Sequence, residues 1–345
     1  MQLVKDIRTV LRTKTSSARK SKLVHKLLAA LIGVAAAAVS GLLATPAQAA
    51  ENGTSFFLGG NKGPMAGATP PPGLFVSNNV YIYSGSASPS LEIPVGGKIV
   101  AGVDADLVLD MPTLLWVTGA NVFGGRLAFA ATVPVGGLDI FAEAQFQTPL
   151  GAPGPSIEDS VTTLADPVLT SFVGWDSGNY HWQAGVSLNL PIGDYKAGQL
   201  ANVALHRWAA DLFVAGTWLD PALGLDVSAV IGFTVNGKNN ATDYKTGEEF
   251  HAELAISQHL SKEFTVGLVG FYYEQVSGDS GAGAALGEFQ GRTAGIGATM
   301  GYTFHVGKAP ISLNLRYYHE LDVENRLSGD IGVVSLAMPL WVPGH

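Results

Sequence analysis

The sequence predicts an all-β fold: a transmembrane, antiparallel, up-and-down β-barrel of about 12 strands, with 14 as the alternative. Three observations predict it. Apolar and polar residues alternate with period two in segments of roughly 10–14 residues, longer than an ordinary strand and matched to a tilted membrane strand. Short turns (176–179, 220–222, 261–262) alternate with long polar connections (193–206, 237–248, 276–290), the asymmetry of membrane barrels. Finally, the six Trp (Trp116, Trp175, Trp182, Trp208, Trp218 and Trp341) lie near strand ends, where aromatic rings settle at a membrane interface.

Composition narrows the field. The chain has 345 residues, 47% hydrophobic and only 14% charged, against about a quarter charged in a usual soluble domain. This excludes a disordered chain. The absence of Cys excludes a disulfide scaffold, a Cys-ligated zinc site and a thiol nucleophile. The net charge of −8 is uneven. Residues 1–49 hold eight Lys/Arg and one acid, which leaves −15 on the remainder. So acidic a body disfavours phosphate backbones and excludes nucleic acid as a partner.

The N-terminus reads as a secretory leader over 1–49. Basic residues end at Lys26, an uncharged stretch runs from Leu27 to Ala44, and Ala47-Gln48-Ala49 is a small-residue cleavage site. Gly41 and Pro46 break a helix just before it. Residues 50–72 are rich in Gly, Pro and Ala. They read as irregular chain, either a plug folded into the barrel or a tail.

Residues 73–345 carry the barrel. In His251–Leu260, Ala252, Leu254 and Ile256 share one face, while His251, Glu253, Ser257 and His259 share the other. Leu225–Asn236 sets Leu225, Val227, Ile231, Phe233 and Val235 against Asp226, Ser228, Thr234 and Asn236. Segments 181–190, 138–147, 292–304 and 311–321 repeat the pattern. Alternation alone does not separate a soluble sandwich, apolar inside, from a membrane barrel, apolar outside. Segment length, loop asymmetry and Trp placement do. Strands fall near 73–84, 99–117, 123–133, 138–148, 166–175, 180–191, 207–219, 223–235, 249–260, 263–275, 291–304, 311–321 and 328–341. That odd number leaves one segment to drop, or Thr54–Leu58 to add, since barrels close with even counts and leave no edge in lipid.

Several loop motifs carry a family resemblance. They are Pro70-Pro71-Pro72-Gly73, Pro191-Ile192-Gly193-Asp194-Tyr195, Asn240-Ala241-Thr242-Asp243-Tyr244-Lys245-Thr246-Gly247 and Gly270-Phe271-Tyr272-Tyr273-Glu274-Gln275. Gly278-Asp279-Ser280-Gly281-Ala282-Gly283, Gly291-Arg292 and Glu324-Asn325-Arg326 with Gly329 extend them. In this order they resemble the MetA-pathway phenol-degradation family of outer-membrane proteins over roughly 64–341. The resemblance implies a barrel linked to phenol, aromatic or other hydrophobic compounds. It carries over no catalytic or binding residue.

Candidate lumen residues follow from the polar faces: Asp104, Asp106, Asp139, Glu143, Asp211, Asp226, His251, Glu253, His259, Arg316 and Glu320. A charge on the lipid face costs a few kcal/mol, so ionised groups in the wall belong inside. Such a lumen admits neutral or cationic solutes and repels anions, unless its acids pair across strands and set no selectivity. His251 and His259 stand ~27 Å apart along one strand at ~3.4 Å per residue, too far to share a metal. No metal or cofactor is expected. Gly278-Asp279-Ser280-Gly281 resembles a serine-protease nucleophile segment, yet it sits in a Gly/Ala-rich loop without a paired His and reads as a turn. Gly295–Gly301 lacks the spacing and helix of a dinucleotide site.

The expectation is a non-enzymatic outer-membrane channel for small hydrophobic or aromatic solutes. A lipid-acting barrel enzyme and a structural barrel with working loops are the alternatives. Expected partners are outer-membrane lipid and lipopolysaccharide, the barrel-assembly machinery and the solute. The oligomeric state is not legible.

Overall fold

A computed structural model of the chain describes residues 51–87, 92–95, 98–143, 156–284, 287–288, 290–307 and 309–343. The expected leader over 1–49 lies outside these residues. After one 3-10 turn at Glu51–Gly53, seventeen strands follow. They are β1 (Gly73–Ser86), β2 (Glu92–Val95), β3 (Lys98–Val122), β4 (Gly125–Thr132), β5 (Val135–Glu143), β6 (Ser156–Leu164), β7 (Val168–Ser177), β8 (Tyr180–Asn189), β9 (Ala209–Asp220), β10 (Leu225–Asn236), β11 (Lys238–Asn239), β12 (Tyr244–Lys245), β13 (Glu249–His259), β14 (Phe264–Gln275), β15 (Arg292–Val306), β16 (Ala309–Glu324) and β17 (Ser328–Trp341). Among the described residues no helix is long and apolar enough to cross a membrane.

Twelve strands close a ring of antiparallel pairs: β1-β17-β16-β15-β14-β13-β10-β9-β8-β7-β4-β3, with β3 returning to β1. Closure gives each of these twelve strands a partner on both sides, as lipid requires. The final seam is long. It pairs Leu74 with Trp341 and Ser86 with Ser328, with an irregularity opposite Pro339, where a missing N–H breaks the ladder. β11 and β12 form a separate two-stranded ribbon.

The odd strand of the sequence reading is resolved by β5, which is not a separate barrel strand. β4 pairs with β3 over 113–122, and β5 pairs with the same β3 over 101–110. β4 and β5 are therefore one path along β3, interrupted at Val133-Pro134. β7 and β6 form the matching path, interrupted at 165–167. Proline removes the donor at each break. Here β3 keeps β1 on its other side (Ser86 opposite Asp104), and β5 and β6 continue the wall past the breaks as an extension that ends at β6. Thr54–Leu58 adds no strand.

The wall is polar inside and apolar outside. On β9, Asp211, Phe213, Ala215 and Thr217 are buried, whereas Leu212 and Val214 are exposed. On β10, Asp226, Ser228, Thr234 and Asn236 are buried, while Ile231, Phe233 and Val235 are exposed. A soluble sandwich would reverse this. The Trp do not form two equal belts. Trp116, Trp175, Trp182, Trp218 and Trp341 gather at the short-turn end, where Trp175 stacks on Trp182. Trp208 lies at the long-loop end.

Candidate functional site

The segment 51–72 runs inside the ring, and the polar inner wall binds its backbone. At its start Glu51 is buried among the long loops. Asn239 Nδ2 donates to its carboxylate at 3.1 and 3.2 Å, and Thr242 Oγ1 donates at 2.6 Å. Midway, Glu253 accepts the backbone N–H of Lys62 (3.1 Å) and of Gly63 (3.2 Å), while Arg316 Nη1 donates to the Lys62 carbonyl (3.0 Å). Asn79 Nδ2 donates to Asn61 Oδ1 (2.9 Å) and Tyr318 Oη to the Gly60 carbonyl (3.2 Å). Lower down, Met65 N–H donates to Ser228 and Gly67 N–H to Thr217, each at 2.9 Å. Arg126 Nη2 donates to the Thr69 carbonyl (2.8 Å).

This accounting explains two sequence features. An irregular chain without ladder partners must find donors and acceptors elsewhere, so the wall supplies Ser, Thr, Asn, Glu and Arg. The glycines let the backbone approach. A Cβ at Gly67 would stand 2.5 Å from the Thr217 backbone nitrogen, and Gly63 has φ +69° against Arg316.

Cavities flank the segment. One of about 240 Å³ lies between its Thr54–Lys62 stretch and β3, β5, β8 and β9, with an apolar wall of Leu107, Leu109, Met111, Leu138, Val203 and Leu205 facing a polar one that includes Asp166, Asn189, Asn202, Asp211, His251 and Glu253. A second, of about 360 Å³, lies towards the short-turn end and is mixed, lined by Asp226, His259, Asn314 and Arg316 together with Met65 and Leu313. Asn61 and Lys62 line both. The partition between them is therefore the stretch that Glu253 and Arg316 hold.

Asp211, Asp226, His251, Glu253, Arg316 and Glu320 all point inward and are buried; His259 points inward and is half-buried. His251 Nε2 meets Asp211 Oδ1 at 2.8 Å, and Thr234 Oγ1 donates to the same oxygen at 2.9 Å. His259 Nε2 meets Asp226 Oδ2 at 3.0 Å. Glu320 accepts from Tyr83, Thr293 and the Gly329 N–H at 2.9–3.2 Å. The inward acids named here are thus partnered, the arrangement the second reading of the polar faces expects, and Lys62 and Arg207 share the interior with Arg316. Among the described residues no group of three or more His, Asp or Glu is placed to hold a metal ion.

Asp104, Asp106 and Asp139 are a correction of a different kind: they are exposed on the outer face. Val103, Ala105, Leu138 and Ile140 are buried instead, in one cluster with Leu200 and Ala201. Asp106 and Asp139 sit opposite each other in the ladder. Carboxylates cannot face lipid cheaply, so this extension stands in water and buries its apolar face like a soluble sheet. The side chain of Glu143 lies outside the described residues. Loop 190–206 covers the free edge of β6, where Asp159 accepts the N–H groups of Leu200 (2.9 Å) and Ala201 (3.0 Å).

The protease-like loop is structural. Asp279 is buried and accepts from Tyr244 Oη, from the Gly247 N–H (2.9 Å) and from Gln275 Nε2 (2.6 Å), tying two long loops together. Burial pushes its carboxyl up to about 6. Gly295 marks an irregularity in the β15–β16 ladder. Residues that periodicity missed include Phe57, Lys62 and Arg207, which lie on irregular chain. Glu249 was legible, since it shares the face of His251 and Glu253.

Comparisons with known proteins agree with this geometry. The sequence profile of the family described as "Putative MetA-pathway of phenol degradation" matches residues 90–336. No curated protein matches the sequence. Among solved structures, an outer membrane channel from Pseudomonas putida F1 overlays with a TM-score of 0.61 at 16% identity, over 81% of this chain and 97% of that one. A FadL homologue from Pseudomonas aeruginosa reaches a TM-score of only 0.36 at 10% identity, over 77% and 89%. The translocator domain of the autotransporter NalP from Neisseria meningitidis reaches 0.40 at 16%, over 79% and 90%. Only the first is close enough to compare folds, and it is a barrel of the same kind. The chain belongs to the phenol-degradation family.

Proposed function

We propose that the chain is an outer-membrane channel for passive, plug-gated entry of small hydrophobic or aromatic solutes, phenol-like ones foremost. One observation carries the reading: two cavities, the first with a leucine-rich wall and the second with more ionisable groups, meet at a single stretch of irregular chain, Asn61-Lys62, held by Asn79, Glu253 and Arg316. A solute shed from water gains by lying on the apolar wall of the first chamber at about 25 cal/mol per Å² buried. It leaves through the second once the stretch yields. Irregular chain shifts more readily than a closed ladder, because no strand partner holds it.

In this reading residues 1–49 are removed on export, the exposed apolar belt meets outer-membrane lipid and lipopolysaccharide, and the long loops face outward. No covalent step is involved. The family's description supports the solute class.

Uptake tests it. Cells expressing the chain should accumulate labelled phenol at low concentration faster than cells without it, and an aromatic acid or a sugar should show no such gain. Equal uptake of the whole panel by both strains would sink the proposal. Glu253→Gln, which weakens the grip on Lys62 and Gly63, should raise phenol entry further.

A further inference from the structure

Phe57 is the one aromatic ring of the inner segment that lies flat on a wall ring. Its ring stacks on His251 with centroids 3.9 Å apart and planes 13° from parallel, and Tyr273 lies parallel beyond at 6.4 Å and 2°. His251 and Tyr273 are ladder partners on β13 and β14. This is an aromatic platform built by the wall, with its occupant supplied by the irregular segment.

The orientation of the platform has a cause. From β13, His251 reaches across β10 to Asp211 on β9. It can do so only because Gly232, between them, has no side chain: a Cβ there would collide with the imidazole. The ring therefore lies flat against the wall and turns its face to the interior. Opposite a carboxylate oxygen, Nε2 carries a proton and donates, so the bond to Asp211 fixes the ring in this orientation. The 240 Å³ cavity opens beside Phe57 and His251, since both line it.

We propose that the His251 face is a binding subsite for a flat, single-ring aromatic, and that Phe57 occupies it as an intramolecular stand-in. The solute stacks where Phe57 stacks; Phe57 swings away, loosening the chain that leads to Asn61-Lys62. The solute class rests on the channel reading; the subsite rests on the stacking geometry.

Titration of the purified full-length chain in detergent with 4-fluorophenol, followed by fluorine NMR, tests it. Phe57→Ala should bind the probe roughly tenfold tighter than the parent, the scale of one aromatic pair. His251→Ala added to Phe57→Ala should remove that gain. Phe57→Leu repeats the test if the alanine variant fails to fold, judged by the heat-dependent gel mobility of folded barrels. Unchanged affinity in both Phe57 variants overturns the subsite. So does a gain that survives loss of His251. Phenol uptake by the same variants separates the two proposals. Uptake without a change in binding retains the channel and removes the subsite; tighter binding without uptake in any variant retains the subsite and removes the channel.

Discussion

The wall formed by β9, β10 and β13 and the extension formed by β3, β5 and β6 share one sequence pattern and bury opposite halves of it. In the wall, Asp211, Asp226 and Glu253 are inside and Val214, Ile231 and Leu254 face out. In the extension, Val103, Ala105 and Ile140 are inside and Asp104, Asp106 and Asp139 face out. Period two specifies a strand in both. Which face turns inward depends on the medium outside, lipid in one region and water in the other. The comparison also shows what fills each interior. The wall encloses a chain that it holds by side-chain hydrogen bonds, and the extension packs its apolar face against the side chains of Leu200 and Ala201.

Four experiments break or sharpen this comparison. The largest effect should come from Ile140→Ala, which empties the apolar interior of the extension at a cost of about 2–5 kcal/mol. Because β6 has a strand partner on one side only, hydrogen exchange should quicken in β5 and β6 while the ring strands keep their protection. Global loss of protection would show that the extension and the ring are one cooperative unit.

Next comes a charge placed on each outer face. Val214→Arg should destabilise the barrel by about 2–4 kcal/mol in lipid, as expected for a basic residue at mid-membrane depth. Phe141→Lys, on the outer face of β5, should cost under about 0.5 kcal/mol. Denaturant unfolding in vesicles measures both. Equal costs would place the extension in lipid and erase the distinction.

A smaller effect is a pH dependence in the loops above the wall. Burial raises the Asp279 carboxyl from 3.8 to about 6. A carboxyl raised on folding favours the folded state below its ordinary range and loses that contribution as pH rises through about 6. Exchange protection around Tyr244–Gly247, corrected for intrinsic rates, should therefore be greater at pH 5 than at pH 7.5. Asp279→Asn should flatten the difference, and a slope of opposite sign would show that the carboxylate is the better-held form. The least effect belongs to Ser257→Ala. Its hydroxyl is fully buried on the inner wall without a partner, so removing it should leave thermal stability within about 0.5 kcal/mol or raise it slightly.

Legibility followed the same division. The strands were readable because side-chain direction in a strand is local. Inward placement of Asp211, His251 and Glu253 was readable because lipid penalises charge on the other face. The same rule misplaced Asp104, Asp106 and Asp139, since nothing in an alternating segment says where the membrane ends. Phe57 and Lys62 gave no signal, because irregular chain has no period from which to infer a direction.

By itself, the sequence determined a strand-built chain, its family, its short and long connections and the residues that alternate. These follow from local periodicity and composition, which act over a few residues. Tertiary structure alone decided that β4 and β5 are one path, that twelve strands close the ring, and that Gly232 lets His251 reach Asp211 beneath Phe57. Those outcomes depend on contacts between residues distant in sequence, such as Glu253 with Lys62, and such contacts exist only once the ring has closed around the segment.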